Sequence, residues 1–302
     1  MTKAGTSTLR IGRREVAISH PDKVLFPAIG VTKLDLARYY ERVAETMLPH
    51  VRGRPVSMQC FPEGVEGSGF FMKNAPSYFP DWIDRASVAK RGGRVTHVVC
   101  NQAATLVYLA NQNTITPHVW TSRADQLRRP DRLIFDLDPP GEDFAAVRAA
   151  ARMLGELLRD LGLKPFAMTT GSRGLHVVVP LRRTEPFGPV RRFARAVAEM
   201  LVAQDPERLT LEVRKAKREH HIYVDILRNG YAQTAVPPYA VRALGKAPVA
   251  VPLHWDELDE RRLHPQRFTV RNVFRRLEAD GDAWRGISRH ARSLDRARRE
   301  LR

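Results

Sequence analysis

Hydrophobic residues follow two different spacings along this chain, and each spacing predicts one kind of secondary structure. Apolar positions recur at helical intervals over residues 33–51, 101–112, 144–162 and 189–204, which indicates helices with one buried face. Short apolar runs bounded by Gly, Pro or polar residues predict strands at 16–20, 54–61, 96–100, 132–139, 164–170, 175–181 and 221–229.

The order of these elements predicts the fold class. Strands and helices alternate in the second half, but several tight turns between strands indicate antiparallel hairpins, so we expect α+β or mixed α/β architecture. Thr32 is a predicted N-cap, Gly162 a predicted C-cap, and the basic tail after residue 254 is predicted to be helical. Neither a GxGxxG dinucleotide fingerprint nor a Walker A motif is present.

The net charge of the chain says more about its partners than its length does. The 302 residues include 50 Lys and Arg against 33 Asp and Glu, a net charge of +17. Such an excess favours partners with dense negative charge, and nucleic acid is the first choice because each neutralised phosphate releases counterions. An anionic membrane surface is the second candidate, and an Arg-rich genomic composition is the alternative without functional meaning.

The two cysteines and the N-terminus bear on the cellular compartment in which the protein is expected. Cys60 and Cys100 lie in separate strand-like segments, where core packing is the expected role, and they make neither a disulfide framework nor a zinc site. The N-terminus has no apolar signal region and no run reaches membrane-spanning length, so we expect a cytoplasmic, nucleoid-associated protein.

Two aspartates interrupt the apolar run LIFDLDPP. On a strand, Asp136 and Asp138 project to the same side, with Cα atoms about 6.5–7 Å apart. Carboxylates that close repel each other unless a divalent cation lies between them, and Mg²⁺ or Mn²⁺ prefers such oxygen ligands. The structural alternative is an ordinary Asp pair ending a strand before Pro139 and Pro140.

A third carboxylate and a glycine turn add to the pair. Asp225 lies among apolar residues in HIYVDILRN, an unfavourable place for an Asp that nothing uses. Between the two acidic segments, TTGSRGLHVVVP offers a turn at Gly171 and Gly174 whose backbone N–H groups can hold phosphate, with Ser172, Arg173 and His176 nearby. Taken alone, the turn would be a surface hairpin and His176 a core histidine; together the segments predict a metal-dependent nucleotidyltransferase.

Three motifs in this order and spacing resemble a known family. FDLDPP, TTGSRGLHVVVPL and YVDILRNGYAQTAVPPYAVRA are similar to the polymerase domain of bacterial LigD, in the archaeo-eukaryotic primase superfamily. The resemblance covers about residues 15–280. It implies an RRM-like antiparallel catalytic core packed on an N-terminal αβ layer, with a DNA-end and template-binding lobe at 1–125 and a catalytic lobe with a basic helical tail at 126–302.

The resemblance also implies a reaction, which is addition of ribo- or deoxyribonucleotides to DNA 3′ ends during non-homologous end joining. Asp136, Asp138 and Asp225 would hold two Mn²⁺ or Mg²⁺ ions. The incoming triphosphate would contact residues with hydroxyl, imidazole or guanidinium groups, namely Ser172, Arg173, His176, Arg228 and Arg242.

The N-terminal half resembles the same family. HPDKVLFPAIGVTK is similar to the segment that binds the DNA 5′-phosphate, with Lys23 and Lys33 as its ligands and His20 where many relatives have Asn. GSGFFMKNAP is similar to the segment whose aromatics stack on the template, which points to Phe70 and Phe71. The alternative for a Phe pair is core packing.

Several functions share these features. A primase that starts chains de novo would use the same carboxylates, a metal-dependent nuclease would not need the triphosphate-binding segments, and a non-catalytic DNA-binding module would leave the aspartates unexplained. No K-x-D-G ligase motif is present, so we expect a stand-alone or excised polymerase domain. Ku and a separate ATP-dependent DNA ligase are partners that the resemblance alone implies.

Overall fold

The computed structural model describes residues 5–90 and 92–301, which form two compact units. The first unit runs to Trp120 and includes Val236–Val249 and Thr269–Arg276, and the second comprises Thr121–Ala235, Ala250–Phe268 and the residues from Leu277 onward. The expected lobes at 1–125 and 126–302 stay a prediction. The segments 236–249 and 269–276 pair with each other through the Val270 N–H and the Ala247 carbonyl and pack in the first unit.

The first unit is built around one antiparallel sheet. Its elements are β1 (Thr6–Ile11), β2 (Arg14–Ser19), β3 (Val24–Phe26), β4 (Val31–Thr32), α1 (Lys33–Val51), β5 (Pro55–Cys60), β6 (Phe70–Met72), β7 (Arg85–Lys90), β8 (Gly93–Val99), α2 (Ala103–Asn111) and β9 (Thr114–Trp120). Strands β9, β5, β8 and β7 are neighbours in that order, and β6 also pairs with β5. The pairs β1–β2 and β3–β4 form separate hairpins.

Helix α1 begins where its N-cap was predicted. The Asp35 N–H donates to the Thr32 hydroxyl at 3.2 Å and the Thr32 N–H donates to the Asp35 carboxylate at 2.9 Å, so two otherwise unpaired N–H groups are satisfied. The apolar face of the helix is buried, and the Tyr40 hydroxyl donates to the Ile115 carbonyl of β9 at 2.6 Å. This contact ties the helix to the sheet that it covers.

The second unit contains the other large sheet. The elements after residue 120 are β10 (Arg132–Asp138), α3 (Phe144–Asp160), β11 (Phe166–Thr169), β12 (Leu175–Pro180), α4 (Phe187–Gln204), β13 (Leu209–Thr210), β14 (Ile222–Asp225), β15 (Thr234–Ala235), β16 (Val251–Leu253), α5 (Val273–Asp280) and α6 (Asp295–Glu300). The sheet order is β13-β14-β10-β12-β11-β16, with every neighbouring pair antiparallel except β13–β14. The α+β class is therefore confirmed, with strand β10 central and the elements β10-α3-β11-β12-α4-β14 in a β-α-β-β-α-β order.

The predicted strand at 221–229 is shorter in the structure. Strand β14 ends at Asp225, and residues Leu227–Asn229 form a 3₁₀ turn. Buried Asn229 replaces the missing strand pairing, because its amide donates to the Ile134 carbonyl at 2.7 Å and accepts from the Ile134 N–H at 2.8 Å. A side chain thus continues the hydrogen bonding of β10 where the neighbouring backbone turns away.

The prediction of a helical tail after residue 254 is largely wrong. Only α5 and α6 are α-helices there, within the described part of that tail. Pro265 interrupts the first part, and Gly281 and Gly286 adopt positive φ angles of 68° and 75° that end regular structure. In the described residues, no helix has the length and apolar character needed to cross a membrane.

Gly174 permits the close pairing of β12 with β10. A Cβ atom at Gly174 would lie 2.0 Å from the Leu137 carbonyl oxygen, far inside van der Waals contact. We expect Gly174→Ala to lower the free energy of unfolding by about 2–4 kcal/mol, because a backbone atom must shift to relieve the overlap. Denaturant unfolding followed by circular dichroism measures this change.

Gly141 provides the matched control. A Cβ atom there meets nothing within 4 Å, so Gly141→Ala should be neutral or slightly stabilising. Equal unfolding free energies for the two variants would show that the approach of residue 174 to β10 does not constrain the fold.

Candidate active site

Strand β10 brings the predicted carboxylates together at the centre of its sheet. Asp136 is opposite Asp225 on β14 and opposite His176 on β12, while Asp138 is opposite Tyr223. Side chains opposite each other on antiparallel strands have Cβ atoms about 4.5–5.5 Å apart. Carboxylate oxygens of Asp136, Asp138 and Asp225 all lie within 4.8 Å of one another, so the three residues form one cluster.

Burial makes this cluster costly. Asp136 and Asp225 are each 6% exposed, and Asp138 is only half-buried at the end of β10. Ionised carboxylates in such a setting lose hydration and also repel one another. The sequence alternative of an ordinary Asp pair at a strand end therefore does not describe these residues.

His176 and Arg228 stabilise the negative charge of Asp136. His176 Nε2 lies 3.5 Å from one carboxylate oxygen of Asp136, and Arg228 Nε lies 3.5 Å from the other. Burial alone would raise the pKa of Asp136, but His176 and then Arg228 more than offset it and the pKa is lowered. Asp136 is thus held in its ionised form.

The pKa values of Asp138 and Asp225 shift in the opposite direction. Burial, and then the charge of Asp136, raise the pKa of Asp138 to about 6. Burial also raises the pKa of Asp225, although the Leu227 N–H donates to its carboxylate at 2.6 Å and partly compensates. Without a bound cation, the ionised forms of Asp138 and Asp225 are therefore energetically unfavourable.

This arrangement fits a divalent metal site. Both ion pairs of the cluster involve Asp136, so Asp138 and Asp225 have no ion-pair partner among residues 5–90 and 92–301. Three converging carboxylates are the ligands that hard cations such as Mg²⁺ and Mn²⁺ prefer. The cluster can hold a metal ion, and that ion would offset both the burial and the repulsion that raise the two pKa values.

The glycine turn between β11 and β12 is internally braced. The Thr170 hydroxyl accepts from the N–H groups of Ser172 and Gly174, each at 3.3 Å, and donates to the Gly174 carbonyl at 3.1 Å. Gln266 donates its side-chain N–H to the Ser172 carbonyl at 3.0 Å. Gly171 has a φ of 66°, the left-handed conformation that glycine accepts most easily.

These contacts show what the sequence analysis missed. Thr170 belongs to the quoted motif but was given no role, and Gln266 is nearly a hundred residues away from the turn that it supports. Exposed Arg173 lies close enough for its charge to lower the pKa of Asp138, against the larger effect of burial. The turn therefore presents a cation and a fixed backbone beside the acidic cluster.

A second group of like charges lies in the first unit. The Lys33 N–H donates to the Lys23 carbonyl at 2.8 Å, and Lys33 is only 4% exposed. Burial and then the charge of Lys23 lower the pKa of Lys33. His20 has a left-handed φ of 50°, a conformation that both His and Asn adopt more readily than most residues. Lys23 Nζ lies 3.6 Å from a carboxylate oxygen of exposed Glu63, and no such partner is found for Lys33 among the described residues, so this pair of lysines can take a further anion.

The predicted aromatic pair is exposed. Phe70 and Phe71 are 50% and 52% exposed on the short strand β6, so the alternative of core packing is wrong for both. Phe71 makes an edge contact with His118, with ring centroids 5.2 Å apart, and His118 Nε2 lies 3.4 Å from the Gln59 side-chain oxygen. His118 was not among the predicted site residues.

Arg242 differs from the other predicted nucleotide ligands. It is half-buried in the first unit, where its backbone N–H donates to the Pro248 carbonyl at 2.7 Å. Ser172, Arg173, His176 and Arg228 belong to the second unit. A role for Arg242 in nucleotide binding stays a prediction.

Comparisons with known proteins agree on one family. The model of the family described as LigD, primase-polymerase domain, matches residues 32–284. The multifunctional non-homologous end joining protein LigD of Mycolicibacterium smegmatis is 34% identical over 270 residues, which is 88% of this chain and 35% of that protein. The corresponding DNA repair protein of Mycobacterium tuberculosis is 35% identical over 295 residues, which is 95% of this chain and 39% of that protein.

A solved structure gives the same result. The polymerase domain from Mycobacterium tuberculosis Ligase D, determined in complex with DNA, is similar with a TM-score of 0.84 and 34% identity, covering 91% of this chain and 99% of that one. The chain spans little more than a third of the length of the two relatives. The family expected from the three motifs is confirmed: this chain belongs to the LigD primase-polymerase domain family and is a polymerase domain of that type.

Proposed function

We propose that the protein adds ribo- or deoxyribonucleotides to a primer 3′-hydroxyl at gaps and broken ends of DNA, with two Mn²⁺ or Mg²⁺ ions. The observation that carries this proposal is the convergence of Asp136, Asp138 and Asp225 within 4.8 Å. The names of the relatives support a place in end joining, and the similar polymerase domain is one bound to DNA.

The acidic cluster would hold the two ions. Bound there, they would lower the pKa of the primer hydroxyl and offset charge on the triphosphate. Asp136, whose pKa is lowered by His176 and Arg228, is the carboxylate of the cluster that ionises most readily. Asp138 and Asp225 would complete the site as they lose their protons.

The cations around the cluster would bind the triphosphate. His176 and Arg228 already lie 3.5 Å from Asp136, so their donors are beside the place where phosphate charge arrives. Ser172 and Arg173 on the braced turn would add a hydroxyl, backbone N–H groups and a second guanidinium. Arg242 is the remaining candidate ligand, on the strength of the motif that contains it.

The first unit would recognise the DNA. Lys23 and Lys33 would bind a 5′-phosphate, because one anion relieves the repulsion between two lysines that share a backbone hydrogen bond. Exposed Phe70 and Phe71 would stack on template bases, an interaction worth roughly 1–3 kcal/mol for each base. A 5′-phosphate site favours gap filling over de novo priming, which needs no downstream strand.

The partners follow from the same proposal. Because the relatives are end-joining proteins, Ku and a separate ATP-dependent DNA ligase are the expected protein partners. A gapped duplex with a 5′-phosphate, Mn²⁺ and labelled nucleotides separates the rival functions. Primer extension supports the polymerase, products without a primer support a primase, and shortened strands support a nuclease.

Asp138 allows catalysis and stability to be tested with one substitution. Asp138→Asn should reduce nucleotide addition at least about a thousandfold and leave DNA binding unchanged, because it removes a metal ligand. The same change should stabilise the metal-free protein at pH 8 by about 1–2 kcal/mol, allowing for solvent at this half-buried group. Primer extension and denaturant unfolding in EDTA measure the two effects.

The sign of the stability effect follows from the pKa. The pKa of Asp138 is about 6 in the folded protein against an ordinary value of 3.8, so its ionised form opposes folding above pH 6. The penalty vanishes below about pH 4, where the folded and unfolded states are both protonated. Glu142→Gln, an exposed change four residues away, is the control. An Asp138→Asn variant that extends primers normally would refute the metal assignment.

Metal affinity should depend on pH for the same reason. Because a bound cation requires ionised Asp138, Mn²⁺ affinity should fall about tenfold for each pH unit below 6 and level off above about pH 7. Titration calorimetry without DNA or nucleotide measures this dependence. In Asp138→Asn the slope should shrink, and an unchanged slope would assign the proton to another group.

Lys33 allows 5′-phosphate recognition to be tested. Lys33→Met retains an apolar stem at this buried position but removes the charge, so the preference for 5′-phosphate over 5′-hydroxyl ends should fall roughly 10–100-fold. The ratio of the two binding constants is the measurement. Exposed Lys164→Met is the control, and an unchanged ratio for Lys33→Met would contradict the assignment.

A further inference from the structure

The exposed aromatic residues of the first unit are concentrated in one short segment. Eight large apolar side chains are exposed among the described residues, and three of them, Phe70, Phe71 and Tyr78, lie within nine residues of one another. Tyr78 is the most exposed of the eight, at 67%. The proposed function gives roles to Phe70 and Phe71 but leaves the exposure of Tyr78 unexplained.

The ring of Tyr78 is held in place although it is exposed. Its hydroxyl donates to the side-chain oxygen of Gln112 at 3.2 Å, and its ring makes an edge contact with buried Phe79, with centroids 5.3 Å apart. Phe79 in turn packs edge-on against Tyr108 of α2, with centroids 5.0 Å apart. A ring that is already oriented loses less entropy when a ligand stacks on it.

The strand register places Tyr78 close to Phe70. Phe70 pairs with Cys60 of β5, and Cys60 pairs on its other side with Thr114 of β9. Neighbouring strands are about 4.8 Å apart, so the Cα atoms of Phe70 and Thr114 are about 10 Å apart. Gln112 precedes Thr114 by two residues, which adds at most about 7 Å. The group that holds the Tyr78 hydroxyl is therefore within about 17 Å of Phe70.

The route from Phe70 to Thr114 stays on one face of the sheet. Residues opposite each other on antiparallel strands project to the same face, so Phe70 projects with Cys60. Cys60 Sγ lies 3.4 Å from Thr114 Oγ1, which places the Thr114 side chain on that face as well. Phe71 projects to the opposite face, where it contacts His118. The two phenylalanines therefore present rings on both sides of β6.

A cation lies in the segment that joins the aromatic residues. Lys73 follows Phe71 by two residues, is exposed, and has no carboxylate within ion-pair distance in the described parts of the chain. Exposed aromatic rings beside an available cation are typical of surfaces that bind single-stranded nucleic acid, where each stacked base brings one backbone phosphate. At about 3.4 Å per stacked nucleotide, a separation of about 10–17 Å corresponds to roughly three to five nucleotides.

We infer that Tyr78 stacks on an unpaired template base about three to five nucleotides beyond the bases at Phe70 and Phe71, and that Lys73 binds a phosphate between them. This inference rests on the proposed function in taking Phe70 and Phe71 as template-stacking residues. The residues Phe70, Phe71, Lys73 and Tyr78 then form one aromatic track. The track extends DNA recognition from the templating position to the single strand that follows it.

Abasic sites test this inference because they remove a base and keep its phosphate. The DNA is a duplex with a recessed primer and about ten unpaired template nucleotides, of which one at a time is abasic. Affinities are measured by fluorescence anisotropy in EDTA without nucleotide. The native protein should lose roughly 5–20-fold in affinity at a position next to the primer, and again at a second position about three to five nucleotides further.

Substitutions of Tyr78 assign the second position. Tyr78→Ser should keep the loss at the first position and show none at the second, because no ring is left to stack on that base. Tyr78→Phe is the matched control, since it retains the ring without the hydroxyl and should keep both losses. Lys73→Gln should keep both losses as well, and its salt dependence should fall by about one ionic contact.

The possible results separate this inference from the proposed function. An unchanged abasic profile in Tyr78→Ser overturns the inference and leaves template stacking on Phe70 and Phe71 intact. A Tyr78→Phe variant that loses the second position also overturns it, since the hydroxyl and not the ring would make the contact. A native protein that is insensitive to every abasic site defeats template stacking in the proposed function and this inference with it.

Two further results remain decisive. If Tyr78→Ser fails to fold, Tyr78→Leu keeps an apolar side chain without a ring and should lose the second position in the same way. Because binding is measured without nucleotide, a native protein that extends no primer but shows both positions would defeat the proposed activity and leave the inference standing.

Discussion

Repulsion among three carboxylates is the constraint on which the second unit depends. Asp136 lies on the central strand of the sheet, directly opposite Asp225, and Asp138 lies two residues further along the same face. An apolar sheet interior would exclude such a group, because each buried charge needs a partner. His176 and Arg228 provide partners for Asp136, whereas burial first, and the neighbouring carboxylates after it, raise the pKa values of Asp138 and Asp225.

Much of the surrounding structure keeps these charges from moving apart. Asn229 holds the backbone of β10 after β14 has turned away, and the lack of a side chain at Gly174 allows β12 to approach β10 closely. Thr170 and Gln266 fix the turn that carries Ser172. In the proposed function, cations and phosphate are bound in one geometry, and such support favours it because displacements of a fraction of an ångström change coordination.

Like charges also lie close together in the first unit, but there the charges are positive. Burial, and then the charge of neighbouring Lys23, lower the pKa of Lys33. Each unit thus contains like charges close together, three carboxylates in the second unit and two lysines in the first. The net charge of +17 therefore includes a local cluster of positive charge in the first unit, and it also favours anionic partners for the chain as a whole.

The amino-acid pattern determined the helices, the strands that contain the aspartates and the family. Thr32, the apolar spacing of α1 and the apolar run of β10 are local features, and local features decide where such elements begin. The early end of β14 and the broken tail were not predicted, because a side chain from Asn229 and glycines at positive φ decided them. Only the tertiary structure decided that Gln266 supports Ser172, that Val236–Val249 packs with the first unit, and that Asp225 lies opposite Asp136. Those contacts join residues far apart in the chain, where spacing along the sequence carries no information about distance in space.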